Sequence, residues 1–328
     1  MKFSITPYNN PPQGKFPMKP WPSLAGKASC LTNVSRPGET LFFFDSAPPG
    51  YAAPSGESAS ALSNSPLIVL IHGLGDEADS WRHIIPLLNA RGYRVLALDL
   101  PGFGRSLSSS KISVKNHTAA VIQLIEAVAP KCPVYLAGNS MGAMIAEMAA
   151  FKKPELVRGL ILISGSVPGG PSNPGFLALA KLLFSRKWYR SYSGQTEKAW
   201  ASLYPYYADL DNMPADDKDF LKERVMARVE SPTQEKAFFA TQRSLIWAYI
   251  FAAVGFARKI RKYPGEILLI WGEKDRIIPL SSTKVFMALR SDIKLEIIPG
   301  AGHLPQQEKP EETARFIVDF LEKRIFDS

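Results

Sequence analysis

Val134-Tyr135-Leu136-Ala137-Gly138-Asn139-Ser140-Met141-Gly142-Ala143-Met144-Ile145-Ala146-Glu147-Met148-Ala149-Ala150 is the stretch that decides the fold. It reads as an apolar strand, a Gly-x-Ser-x-Gly turn and a helix of small residues. That context holds a serine nucleophile up on a strand-to-helix turn. The turn is too tight for side chains beside the nucleophile, so Gly138 and Gly142 remove the Cβ atoms that would clash. The backbone N–H of Met141 then falls at a helix N-terminus, where negative charge is favoured.

Two later segments supply partners for such a serine. Gly265 to Gly272 reads as a buried strand and leads into Glu273-Lys274-Asp275. Lys294 to Pro299 reads as the next strand and leads into Gly300-Ala301-Gly302-His303. Serine, acid and histidine each follow the C-terminal end of a strand, where open parallel sheets place their ligands. Of the four histidines, at 72, 83, 117 and 303, only His303 has this setting. His72 is expected to brace a loop, and His83 and His117 to lie at the surface or at an interface. The spacing alone leaves Glu273 and Asp275 both open as the acid.

These motifs resemble the α/β-hydrolase superfamily. Ile71-His72-Gly73-Leu74-Gly75 is similar to the family's oxyanion loop, and Asp99-Leu100-Pro101-Gly102-Phe103-Gly104-Arg105-Ser106 to its fourth-strand signature. The resemblance covers about residues 65–167 and 265–328. It implies Ser140 as nucleophile, His303 as base and Asp275 as the orienting acid, since Asp275 stands just before Arg276 and four residues before Pro279. It also implies the Leu74 and Met141 amides as oxyanion donors. Gly-Asn-Ser-Met-Gly is similar to the elbow of meta-cleavage-product (C–C bond) hydrolases, small esterases, monoglyceride lipases and cofactor-free haloperoxidases. The first of these usually carry a Gly-Gly-Gly-Pro-Gly-like loop and a tryptophan after the histidine. Here Gly73-Leu74-Gly75-Asp76 and Leu304 stand instead.

The rest of the chain fits an α/β fold. The expectation is a mostly parallel eight-stranded sheet with helices on both faces and a helical cap inserted after the sixth strand. Residues 1–27 read as an extended N-terminal arm across the surface. Residues 28–166 and 265–328 read as the two parts of the core. Ala28 to Leu31 and Thr40 to Phe44 make an antiparallel entry hairpin, and a Pro/Gly/Ser/Ala-rich loop runs from Ala47 to Ser65. Apolar strands then alternate with helical patterns, the signature of a buried parallel sheet. Residues 167–264 break that rhythm and read as the cap. Its most apolar segments are Phe176 to Leu183 and Leu245 to Phe256, and Trp247 and Phe251 are its candidate substrate contacts.

Composition sets the remaining bounds. The chain of 328 residues is 46% hydrophobic and 21% charged, as a globular protein with a sizeable core requires. Cys30 and Cys132 form no metal, redox or disulfide pattern. No cofactor and no metal are expected. The apolar run Leu245 to Ala257 is short of the ~20 residues that span a bilayer, and the N-terminus lacks a signal-peptide h-region. The expected location is cytoplasmic, without stable membrane insertion. Net charge is +9, and the stretch Val167 to Gly265 carries 15 Lys+Arg against 9 Asp+Glu. Such a surface attracts anions, including anionic lipid, but no nucleic-acid motif accompanies it, so no nucleic-acid partner is expected.

Three functions fit these residues. One is a serine hydrolase cleaving a small or medium apolar carboxylic ester, thioester or lactone through an acyl-enzyme. Another is C–C bond hydrolysis, or perhydrolase or haloperoxidase chemistry, on the same residues. The third is a non-catalytic ligand-binding member of the fold.

Overall fold

The computed structural model describes residues 3–8, 18–33, 38–48, 66–108, 111–130, 132–166 and 185–322, with the side chains of 250–254 excepted. Nine strands form one sheet: β1 (Phe3–Pro7), β2 (Ala28–Asn33), β3 (Thr40–Ser46), β4 (Leu67–Ile71), β5 (Arg94–Leu98), β6 (Val134–Asn139), β7 (Val157–Ile163), β8 (Glu266–Gly272) and β9 (Lys294–Ile298). Their order is β1-β2-β3-β5-β4-β6-β7-β8-β9. The first three pair antiparallel, and from β5 to β9 every pairing is parallel. The expected count of eight is corrected by β1, which lies within the presumed arm. It pairs along β2 from Phe3↔Asn33 to Pro7↔Ser29. Four of its five residues are exposed, so it has no buried face to give a hydrophobic alternation.

The parallel strands are covered on both sides, which is why they read as continuous apolar runs. All five residues of β4 are buried. One face carries α1 (Ile84–Ala90) and the C-terminal helix Pro310–Glu322, through Ile84, Ile85, Leu88, Ile317 and Leu321. The other carries α2 (Val114–Val128) and α3 (Met141–Lys152), through Val121, Leu124, Ile125 and Ile145. Ala143, Ala146, Ala149 and Ala150 are fully buried, so α3 sits close on the sheet. Ser113 caps α2 by accepting a hydrogen bond from the Asn116 amide.

Between β7 and β8 the chain leaves the sheet. The described part of this insert holds α4 (Arg186–Arg190), α5 (Thr196–Ala201), α6 (Ala215–Val229) and α7 (Pro232–Lys262). The apolar segment Phe176 to Leu183 lies outside the described residues, as does the loop after residue 48. Helix α7 spans 31 residues and does not stay with the insert. Its last turns join the main core through Phe256 and Ile260. Phe256 meets the ring of Phe151 edge-on at 5.3 Å, and Tyr263 donates to the Val157 carbonyl at 3.2 Å. The sequence places the boundary at 264, but the second half of α7 is thus a core helix. Among the described residues no helix is long and apolar enough to cross a membrane.

Residues 18–27 strap the two layers together. The Trp21 amide donates to Asp79 at 2.7 Å, while its ring packs edge-on against His83 of the core and Phe220 of α6.

The shared helix makes a testable contrast. Ile260 is fully buried, so Ile260→Ala is expected to cost ~2–5 kcal/mol in urea unfolding. Trp247, on the same helix, is 57% exposed, and Trp247→Ala should change stability by no more than ~0.5 kcal/mol. Equal effects would contradict the division of α7.

Candidate active site

Ser140 stands between β6 and α3 with φ 56° and ψ −117°, a strained geometry for a residue with a side chain. Crowding enforces it. A Cβ on Gly142 would overlap the Ile71 and His72 carbonyls, and one on Gly165 would overlap the backbone of Ser140. Gly165 is a part of this turn that the motif does not reveal, because it lies a strand away. Asn139 anchors the turn from below. Its amide donates to the carbonyls of Ile163 at 3.2 Å and His303 at 3.1 Å.

The loops after β8 and β9 bring Asp275 and His303 together. His303 Nδ1 lies 2.9 Å from Asp275 Oδ2, and both side chains are buried. Asp275 Oδ1 accepts from the Ile277 and Ile278 amides at 2.8 and 2.9 Å. The carboxylate is therefore fixed on its far side and presents one oxygen to the ring. Glu273, the other candidate acid, is exposed and accepts from the Gly300 amide at 3.0 Å. The His303 loop is held by two further contacts. Its own amide donates to the Tyr206 carbonyl at 2.8 Å. Glu308 accepts from Gly302 and from Ala208 of the insert, at 2.8 and 2.7 Å. Glu308 had no signal in the sequence, since its partners are backbone groups.

His72 braces the loop beneath Leu74. Its Nε2 accepts from the Leu100 amide at 2.9 Å, which leaves the proton on Nδ1 to donate to the Gly73 carbonyl at 2.7 Å. Burial lowers its pKa, so the ring stays neutral. His83 bonds Asp217 of α6 and is interfacial as expected. His117, expected at the surface or at an interface, lies at the interface of α2 and α7. It is fully buried, 2.9 Å from the Thr241 hydroxyl of α7, and burial drives its pKa down to about 3.

Ser140 and His303 line one cavity of about 320 Å³. Gly73, Leu74 and Gly75 form one rim. The insert supplies an apolar wall that includes Leu203, Val225, Phe238, Leu245 and Tyr249. Trp247 does not line it. At this point of α7 the cavity-facing residues are Leu245, Ile246 and Tyr249, and Trp247 projects to the outside. The side chain of Phe251 lies outside the described residues. Arg228 reaches the cavity but is already paired, with Asp76 at 2.7 Å and with Glu77 at 2.7 and 2.8 Å. Burial pushes Glu77 up, yet Arg228 with Arg224 and Arg105 outweighs it and holds the carboxyl at about 2. Among the described residues no three His, Cys, Asp or Glu side chains gather as a metal-ligand set.

Residues 68–316 match the model of the alpha/beta hydrolase family. The chain belongs to that family. It is 30% identical over 258 residues to the uncharacterized hydrolase YugF of Bacillus subtilis, a match covering 77% of this chain and 89% of the relative. It is 28% identical to a 2-hydroxy-6-oxononadienedioate/2-hydroxy-6-oxononatrienedioate hydrolase of Pseudomonas putida, over 77% of this chain and 87% of the relative. It is also 27% identical to the pimeloyl-[acyl-carrier protein] methyl ester esterase of Methylococcus capsulatus, over 78% and 94%.

One buried acid beside this α/β-hydrolase site stands apart from it. Glu147, two turns along α3 from Ser140, is fully buried, and neither carboxyl oxygen meets hydrogen-bond geometry. Burial raises its pKa well above the usual range, and the nearby Ser166 hydroxyl offsets only part of that. Unfolded, the same group releases its proton near pH ~4.3. Above that pH the native state binds more protons than the unfolded one, so stability falls as pH rises. Glu147→Gln removes the titration. Its melting temperature relative to the parent is expected to climb between about pH 5 and about pH 8, by at most ~1.4 kcal/mol of stability per pH unit. A difference that does not vary with pH would show Glu147 to be ionised in the fold.

Proposed function

We propose that this α/β-hydrolase cleaves neutral, apolar carboxylic esters, thioesters or lactones through an acyl-enzyme on Ser140. The observation that carries the proposal is the 2.9 Å contact of His303 Nδ1 with Asp275, on a histidine that shares its cavity with a serine held at positive φ. In this mechanism His303 Nε2 takes the Ser140 proton as Oγ attacks the carbonyl carbon. The Leu74 and Met141 amides receive the oxyanion, each such donor contributing about 3 kcal/mol to the transition state. The imidazolium, stabilised by Asp275, then protonates the leaving alcohol or thiol. Water repeats the sequence in reverse and frees the acid. The insert acts as a cap that keeps water away from the developing charge.

Two features favour a neutral substrate. The cavity wall is largely apolar, and Arg228 is occupied by two carboxylates. A second reading, C–C bond hydrolysis, draws on the Pseudomonas putida relative. Its substrate, as named, is a dicarboxylate, which needs a cation in the cavity that is not already neutralised. A panel of neutral esters against ring-fission diketone acids separates the two. The ester reading expects turnover of the first and little of the second.

A fluorophosphonate probe should label Ser140, and Ser140→Ala should abolish labelling and turnover while the melting temperature stays near that of the parent. Asp275→Asn should lower kcat by ~10⁴, because the histidine loses its correct tautomer. Glu273→Gln should leave kcat within a factor of about two, since an exposed carboxylate contributes little. The opposite pattern would move the acid to Glu273. Normal turnover by Ser140→Ala would remove Ser140 as the nucleophile, and no turnover of any ester or diketone by the parent would leave a ligand-binding role for the site.

A further inference from the structure

Among the described residues the large aromatic side chains that stand exposed are Trp188, Tyr204 and Trp247, and all three belong to the insert. Tryptophan, with an apolar ring and a polar N–H, is enriched at interfaces where one end of the side chain is apolar and the other wet. Trp188 is 40% exposed and lines the cavity, so it stands at the mouth. On α7, Arg243 lies one turn and Lys236 three turns before Trp247, which places all three on one helix face. Both basic residues are exposed, and neither has an acidic partner among the described residues. Of the α7 residues that face the cavity, Ile246 lies three positions from Arg243 and adjoins this stripe, while Gln242, Leu245 and Tyr249 lie farther round the helix. Helix α4 adjoins it, because Arg186 and Arg190 both reach Glu235 of α7, at 3.1 and 3.0 Å. Lys187, next to Trp188, is exposed as well. Five cations thus share this face, with Glu235 as the carboxylate between them.

We propose that this face of α4 and α7 docks reversibly on an anionic membrane surface, with Trp188 and Trp247 at headgroup level around the cavity mouth. Tryptophan suits that depth, since its ring prefers the interface and its N–H stays hydrated. Each Lys or Arg near an anionic bilayer strengthens partitioning about fivefold. The contact is peripheral, since no described helix can span a bilayer. It delivers esters carried in the membrane to the mouth of the cavity. Docking itself does not depend on the ester chemistry proposed above.

The test is flotation of the full chain with phosphatidylcholine vesicles, with and without phosphatidylglycerol, at low and high salt. Binding is expected on the anionic vesicles only, and salt should weaken it. Trp247→Ala should reduce it several-fold, and Lys236→Glu with Arg243→Glu by more than about tenfold. Both variants should turn over a water-soluble ester like the parent, which shows them folded. Lys284→Glu with Arg315→Glu, exposed cations outside this face, removes the same charge and should leave binding unchanged. Equal loss in that control, no binding to anionic vesicles, or binding to single-stranded DNA that ignores Trp247 would each overturn the proposal. Vesicle binding without ester turnover by the parent would overturn the ester reading and leave this one standing.

Discussion

Ser140 can stand at the tip of its turn only because two backbone segments approach the turn more closely than side chains permit. The end of β4 touches Gly142, and the segment after β7 touches Ser140 through Gly165. Asn139 ties the turn to the His303 loop. The C-terminal ends of adjacent parallel strands are thereby drawn to one point. Gly73 and Leu74 of the β4 loop line the same cavity as the serine. The positive φ at Ser140 is a strain of order 1–3 kcal/mol, held by the packing of α3 on the sheet. A methyl group at Gly165 would push against the same backbone that holds Ser140.

A buried ionic layer fixes the insert above this point. Arg105 pairs with Asp79 and Asp99, each with the side chains fully buried. Asp99 also accepts from the Ala78 amide at 2.7 Å, which ties the segments after β4 and β5 together. From α6, Arg228 pairs with Asp76 and Glu77, and Asp217 with Arg82. Replacing such pairs with apolar residues is often neutral, but deleting one partner leaves a buried charge and costs ~3–5 kcal/mol. The network thus resists separation of insert and core, and it sets the insert's register over the cavity. Its second effect is chemical. By consuming Arg228 it leaves the cavity with apolar walls and a neutralised cation.

How much of this was legible depended on whether a residue's role is local. Ser140 and His303 each sit in a short strand-then-turn pattern that the chain spelled out. The same pattern left Asp275 and Glu273 both open until the family resemblance singled out Asp275. The parallel strands showed as unbroken apolar runs. The β1 strand was hidden because its residues are mostly exposed and carry no buried alternation. Gly165, Glu308 and the burial of His117 were hidden for a different reason. Each acts on a segment remote in sequence: Gly165 on Ser140, Glu308 on Ala208, His117 on Thr241. Trp247 failed for a third reason. An apolar run on an amphipathic helix does not say which side faces the cavity, and 31 residues of α7 give room for more than one answer.

Helix α7 shows how one element answers three demands by rotation alone. Residues 242, 245, 246 and 249 face the cavity, and Phe256 and Ile260 face the core further along. Lys236, Arg243 and Trp247 face outward on the remaining side. At 100° per residue, positions 236, 243 and 247 share one line, and 242, 245 and 249 share another about 150° around the helix. The cavity wall and the face that carries the basic and aromatic side chains are therefore opposite sides of a single helix. Its far end is clamped to the sheet by Phe256 and Tyr263. A force applied at the outer stripe, by whatever surface meets it, is carried to the cavity wall without a hinge between them.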